Sequence, residues 1–249
     1  MEVLEKRQME REVDIAAEIQ QKLLPSGVPV LRAASLAVHS QPARGVSGDY
    51  YDVLPLDQDK VALVVCDVAG KGIPAAMVMV MIRSITHLLV SPRLEAAAIL
   101  TGINRGITGR IDVDHFATIG LLIYDQAKRQ VVYANAAHLP LLLYRASAGK
   151  LLRVDAEGLP IGVEREGRYT QRRFNLERGD ILILCTDGVL EAMNAKGEQY
   201  GLRRLTQAVE ANAGRPAQEM VEAIRDDLQR HSAGERLHDD QTLMLLRAE

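Results

Sequence analysis

Aspartates stand at the ends of several apolar runs in this sequence. The run Val61–Val65 leads through Cys66 to Asp67, and Val68-Ala69-Gly70-Lys71-Gly72-Ile73-Pro74 follows. Ile181-Leu182-Ile183-Leu184-Cys185-Thr186 leads to Asp187-Gly188, and Asp239-Asp240 lies just before Leu243–Leu246. Asp49 and Asp52, in Gly48-Asp49-Tyr50-Tyr51-Asp52, open a further strand-like segment. A carboxylate at a strand end is held still by the sheet and stays reachable from the turn beyond it. Taken alone, Asp67 reads equally well as a cap for the next helix. Repeated at several strand ends, with no clustered cysteine or histidine, the carboxylates are the ligand set of a hard divalent cation.

The elements that must position these groups follow from periodicity. Residues Met1 to Leu24 read as a charged helix, with Met9, Val13, Ala16, Ile19 or Gln20, and Leu23 recurring at spacings of three and four. Pro25-Ser26-Gly27 ends it. Leu36 and Val38 alternate with polar neighbours as in a half-buried strand, and further strands are expected over Tyr50–Leu56 and Val61–Cys66. Pro74 opens a helix to about Val90, apolar on nearly every face and so expected to be buried. A second helix runs from Leu94 to Ile107. Short strands are then expected at Thr118–Tyr124, Gln130–Asn135, Pro140–Tyr144, Leu151–Val154, Arg172–Leu176 and Ile181–Leu184. Helices over Leu202–Ala211 and Ala217–His231 precede a last strand at Thr242–Arg247. This order is α+β, an antiparallel sheet with helices packed outside, and not a parallel doubly wound fold.

Composition excludes several classes. A net charge of −3 and a pI near 6.1 give no reason to expect nucleic-acid binding. The longest apolar run, Ala75–Ile82, is broken at Arg83, too soon to cross a bilayer. Two cysteines rule out a disulfide framework. Cys66 and Cys185 each lie shortly before a candidate site aspartate, which suggests that they are neighbours in space. They read as small buried residues of a reducing compartment, and the expected location is the cytoplasm. Gly70-Lys71-Gly72 lacks the spacing of a phosphate-binding P-loop.

Five segments occur in a telling order: Ser47-Gly48-Asp49-Tyr50-Tyr51-Asp52; Asp67 through Ala76; Tyr133-Ala134-Asn135-Ala136-Ala137-His138; Thr186 through Ala192; and Asp239-Asp240-Gln241-Thr242. Together they resemble the metal-dependent serine/threonine protein phosphatases related to type 2C. The resemblance is to the bacterial branch of the stage II sporulation phosphatase and of sigma-factor partner switching, over about residues 15 to 247. It implies a four-layer αββα sandwich of two antiparallel sheets, with two divalent cations, Mn²⁺ or Mg²⁺, at one edge. Carried over by position, Asp67 matches the carboxylate that bridges both ions and the Val68 carbonyl a neighbouring ligand. Asp187 matches a further ligand, and Asp239 the one just before the last strand, with Asp240 beside it as the less favoured choice. Asp49 matches an aspartate that binds metal directly or through water. Arg44 matches an arginine that grips the substrate phosphate. Asp52 and Asp240 are expected behind these ligands. Ser47, Ala69, Ala137 and Gln241 depart from the family's usual residues and leave every carboxylate in place.

The implied chemistry is direct hydrolysis. Two ions roughly 3.5–4 Å apart lower the pKa of a water between them, and the metal-bound hydroxide attacks phosphorus in line. Arg44 and the ions offset the charge on the phosphoryl oxygens. Asn135 and His138 read as turn residues, and Lys71 reads equally well as a solvated turn lysine or as a phosphate contact.

The implied substrate is a phosphorylated protein of the anti-anti-sigma type. Two other readings stay open: a catalytically silent binding module of the same fold, and a hydrolase of another phosphoester. The domain division expected is a linker or regulatory helix over 1–27 and a phosphatase domain over 28–249. Ala17 through Pro25 matches the family segment that joins a sensor or receiver domain to the phosphatase. A sensor or receiver upstream or in trans is therefore expected, and the narrow stripe of Met9, Val13, Ala16 and Leu23, like a two-helix seam, points to a homodimer through the helix.

Overall fold

The computed structural model describes residues 2–249. The first helix, α1, spans Glu2–Leu23, so Met1 of the expected helix lies outside the described residues. Ten strands and five further helices follow: β1 (Ala34–Gln41), β2 (Tyr50–Pro55), β3 (Lys60–Val68), α2 (Ile73–Leu89), α3 (Ala96–Ile107), β4 (Ala117–Asp125), β5 (Gln130–Ala136), β6 (Leu141–Arg145), β7 (Lys150–Val154), β8 (Gln171–Asn175), β9 (Ile181–Cys185), α4 (Asp187–Leu190), α5 (Gly201–Asn212), α6 (Ala217–Ser232) and β10 (Gln241–Ala248).

The strands form two five-stranded sheets, ordered β1-β10-β9-β6-β7 and β2-β3-β4-β5-β8, with every pairing antiparallel. Alternation along each strand sorts the apolar residues into layers. On β3, Val61, Leu63 and Val65 face the other sheet and pack with Leu182, Leu184, Met244 and Leu246. Ala62, Val64 and Cys66 face outward and are covered by α2 and α3 through Met79, Ile82, Ile99 and Ile103. On the opposite side Ile181, Ile183, Cys185, Leu243 and Leu245 are covered by α5 and α6 through Leu205, Val209, Met220 and Ile224. The result is a helix–sheet–sheet–helix sandwich.

Two expectations change here. Cys66 and Cys185 belong to the two different outer layers, so they are not neighbours. Each faces away from the interface between the sheets, because each is an even step from an outward-facing strand residue. The helix α2 is not buried all round either. Ile73, Met77 and Leu88 are exposed, since only one side of the helix reaches the sheet.

The lower half of α1 packs on this domain. Val13, Ala16 and Leu23 are half-buried and Gln20 is buried, whereas Met9, Ile15 and Ile19 are exposed. Of the alternatives Ile19 and Gln20, the inward position belongs to Gln20. The Arg83 Nε on α2 donates to the Leu23 carbonyl at 2.5 Å and fixes the end of α1. Among the described residues, no helix is long and apolar enough to cross a membrane.

Candidate functional site

Both sheets end on the same side of the sandwich, and there the aspartates gather. Asp67 is the penultimate residue of β3, opposite Thr118 of β4. Its odd position on the strand continues the face of Val61, Leu63 and Val65, so its carboxylate caps the seam between the sheets. Asp187 opens α4 directly after β9, and Asp239 and Asp240 precede β10. Asp49 precedes β2 and reaches across the seam. Its Oδ2 accepts hydrogen bonds from Thr186 Oγ1 at 2.8 Å and Thr242 Oγ1 at 2.7 Å, both on the opposite sheet's side.

Crowding of like charge is visible in the acidities. Burial first, and then the charges of Asp187, Asp239 and Asp240, push the Asp67 carboxyl up to about 7, against an opposing pull from Lys71. Burial and then Asp67 push Asp49 well above the usual carboxylate range, although both threonine hydroxyls favour its ionised form. Asp187 is raised by burial, then by Asp239 and Glu191. These groups need positive charge, and oxygen donors of this hardness fit Mg²⁺ or Mn²⁺. Among the described residues the carboxylates line the edge without three of them closing around one point. Lys71 draws Asp239 to itself, with Nζ 2.6 Å from Oδ2.

Close backbone approach makes room at two places. A Cβ on Gly48 would lie 3.1 Å from the Val68 carbonyl oxygen. That carbonyl thus faces the site loop across a side chain that is missing. A Cβ on Gly188 would lie 2.0 Å from the Asp240 carbonyl oxygen, so the Asp187-Gly188 turn presses directly on the Asp239-Asp240 backbone.

Asp240 organises the loop between β1 and β2. Its Oδ1 accepts from the Ala43 N–H at 2.7 Å, and its Oδ2 accepts from Ser47 Oγ and the Gly48 N–H, each at 2.8 Å. With both oxygens engaged by the loop, Asp240 fixes the segment that carries Arg44. Arg44 itself is exposed on that loop, and no hydrogen bond or ion pair engages it among the described residues.

Asp52 is turned away from this edge, a correction to its expected place behind the ligands. Its carboxylate accepts from Tyr50 Oη at 2.8 Å and the Val53 N–H at 2.8 Å, and meets His87 Nε2 of α2 at 2.6 Å. Asp49 and Asp52 are three residues apart, so they face opposite sides of the segment. Asn135 does fix a turn: its side chain bonds both the N–H and the carbonyl of His138. The His138 ring lies under the site, with Nδ1 2.8 Å from Thr118 Oγ1, and burial pulls it down to about 4, so it is neutral.

Several contributors were not singled out as site residues from sequence. Thr186 and Thr242 adjoin the strand-end aspartates, and that adjacency was the available signal. Ser47 heads the first of the five segments and departs there from the family's usual residue, with no role of its own to be read. Gln20 sits on α1, and its amide bonds both backbone groups of Ser47. Nothing local in the sequence announces that contact.

Known proteins resemble this chain in sequence and in fold. The sequence profile described as stage II sporulation protein E (SpoIIE) matches residues 57–249. The phosphoserine phosphatase RsbU of Bacillus subtilis (strain 168) is 35% identical over 243 residues, covering 97% of this chain and 71% of RsbU. Among solved structures, the SiaA-PP2C domain of Pseudomonas aeruginosa superposes with a TM-score of 0.84 at 23% identity, covering 98% of each chain. The RsbU and RsbW domains of Rv1364c from Mycobacterium tuberculosis give a TM-score of 0.77 at 25% identity, over 91% of this chain and 63% of that one.

Proposed function

This chain belongs to the stage II sporulation protein E (SpoIIE) family and is a divalent-metal-dependent serine/threonine protein phosphatase; on that premise we propose how its residues act and on what. The observation that carries the reading is the gathering of Asp49, Asp67, Asp187 and Asp239 at one end of the sandwich, where burial, and then neighbouring carboxylate charge, raises the pKa of Asp49, Asp67 and Asp187. These four, with the Val68 carbonyl, hold two cations, Mn²⁺ or Mg²⁺. The cations supply water activation and charge neutralisation at the phosphoryl group.

The remaining work belongs to the chain. Arg44 presents a planar fork to the phosphoryl oxygens from an exposed loop. Asp240 keeps that loop seated through Ala43, Ser47 and Gly48. Thr186 and Thr242 hold Asp49 across the seam between the sheets. Both cysteines are buried, with Cys185 pushed up to about 12 by burial and the Asp187 charge, so neither offers a thiolate nucleophile. Hydrolysis is direct, without a phosphoenzyme.

The substrate is a phosphoserine or phosphothreonine on a small regulatory protein of the anti-anti-sigma type, and the setting is the cytoplasm. Residues 1–27 form a regulatory segment and residues 28–249 the phosphatase domain. The exposed pair Ile15 and Ile19, 57% and 56% accessible, supports a homodimer through α1. A sensor or receiver domain, upstream or in trans, acts on that helix. Turnover of p-nitrophenyl phosphate in Mn²⁺, and its loss in EDTA, tests the chemistry; equal rates in both would sink it. Preference for phosphorylated partner proteins over nucleotides tests the substrate class.

A further inference from the structure

Lys71 leaves the turn after β3 and ends on the acidic edge. The turn is fixed by the glycines beside it, Gly70 at φ 96° and Gly72 at φ 77°, a left-handed backbone that other residues adopt at a cost. From there the ammonium lies 2.6 Å from Asp239 Oδ2 and donates to the His238 carbonyl at 2.5 Å. The same charge reaches Asp67 and Asp187 and offsets their repulsion. The pair is half-open to solvent, with 42% of the Lys71 side chain and 38% of the Asp239 side chain accessible. A lysine ammonium is a single charge on a flexible stem, so it can be displaced by a divalent cation that takes the same carboxylate.

We propose that Lys71 is the resident counter-ion of the metal-free edge and is exchanged for the divalent cation at Asp239. The proposal rests on the assignment of Asp239 as a metal ligand made above. Lys71 then acts in two opposite directions. It relieves charge repulsion when metal is absent, and it lowers metal affinity by competing for Asp239. A merely structural lysine would instead support the metal-free and metal-loaded protein alike.

The test measures Mg²⁺ and Mn²⁺ affinity by calorimetry, thermal unfolding in EDTA and in saturating Mg²⁺, and the ¹⁵N resonance of the Lys71 ammonium during Mg²⁺ titration. Lys71→Met is expected to bind Mg²⁺ tighter by up to about five-fold, the equivalent of one half-exposed ion pair. It should melt lower than wild type in EDTA and level with it in saturating Mg²⁺. The ammonium resonance, hydrogen-bonded without metal, should move to the position of a solvated lysine as Mg²⁺ binds. Unchanged affinity, lowered affinity, or a resonance indifferent to Mg²⁺ would overturn the exchange while leaving the metal centre intact. Failure of the wild-type chain to bind either ion would overturn the metal assignment as well, and Lys71→Gln repeats the measurement should the Met variant misfold.

Discussion

Gln20 and Ser47 exchange two hydrogen bonds of 2.8 Å: the Gln20 amide donates to the Ser47 carbonyl, and the Ser47 N–H donates to the amide oxygen. Both residues are buried, and they are 27 positions apart in the chain. The contact joins α1 to the loop that carries Arg44 and leads into Asp49. Any displacement of α1 must therefore break these bonds or move the loop, which gives the first helix a mechanical connection to the site.

Replacing Gln20 with Ala leaves a buried N–H and a buried carbonyl without partners. Each such group costs about 1–3 kcal/mol. Gln20→Ala is expected to lose roughly 2 kcal/mol or more in urea unfolding, and the Ser47 amide should exchange with deuterium faster than in wild type. Unchanged exchange at Ser47 would show that the helix and loop are held together by packing alone.

Asp67→Asn and Asp187→Asn should each abolish Mn²⁺-dependent turnover while leaving the chain folded, since site carboxylates that repel one another cost stability. The pH dependence in EDTA is the sharper check. Asp67 is raised to about 7 from a usual 3.8, so between these values the folded state binds more protons than the unfolded one. Stability then falls as pH rises through that window. His138, lowered to about 4, contributes the opposite slope between 4 and 6.5. The difference between wild type and Asp67→Asn removes the histidine's contribution. That difference should grow in the variant's favour from pH 4 to pH 8, by an amount on the order of 1–3 kcal/mol. A difference independent of pH would contradict the crowding of charge.

Gly188→Ala has no strained dihedral to resist it, but it does have a collision. Its Cβ would sit 2.0 Å from the Asp240 carbonyl oxygen, a backbone atom that cannot swing aside. A loss of about 3 kcal/mol or more is expected, with weakened metal binding because Asp187 and Asp239 are forced apart. Normal melting and normal Mn²⁺ affinity would mean that the two turns yield freely.

Arg44→Ala should raise KM for a phosphoprotein and lower kcat/KM by one to two orders of magnitude, roughly the value of a charge-assisted contact. Metal affinity should stay within about two-fold, because among the described residues no hydrogen bond or ion pair joins Arg44 to a carboxylate. Parallel loss of metal binding and turnover would assign Arg44 to the loop's structure instead.

The α+β order, the apolar strands that lead to Asp67 and Asp187, and the helices that open around Pro74 and at Ala217 could be read directly from the chain. Apolar periodicity and turn residues are local signals, and short-range backbone physics acts on the same few residues. The resemblance in five short segments then supplied the two-sheet architecture and the candidate ligands. Three-dimensional packing alone decided how the polar groups are shared out. Asp239 and Asp240 are consecutive and chemically identical, yet one meets Lys71 and the other spends both oxygens on the loop at Ala43, Ser47 and Gly48. Asp49 and Asp52 are likewise alike in type, and strand alternation sends one to the seam between the sheets and the other to His87. The pairing of Gln20 with Ser47 depends on where α1 comes to rest against a loop far along the chain. Residue type fixes what a side chain can do, whereas hydrogen bonds between distant segments exist only once the fold has brought their partners together.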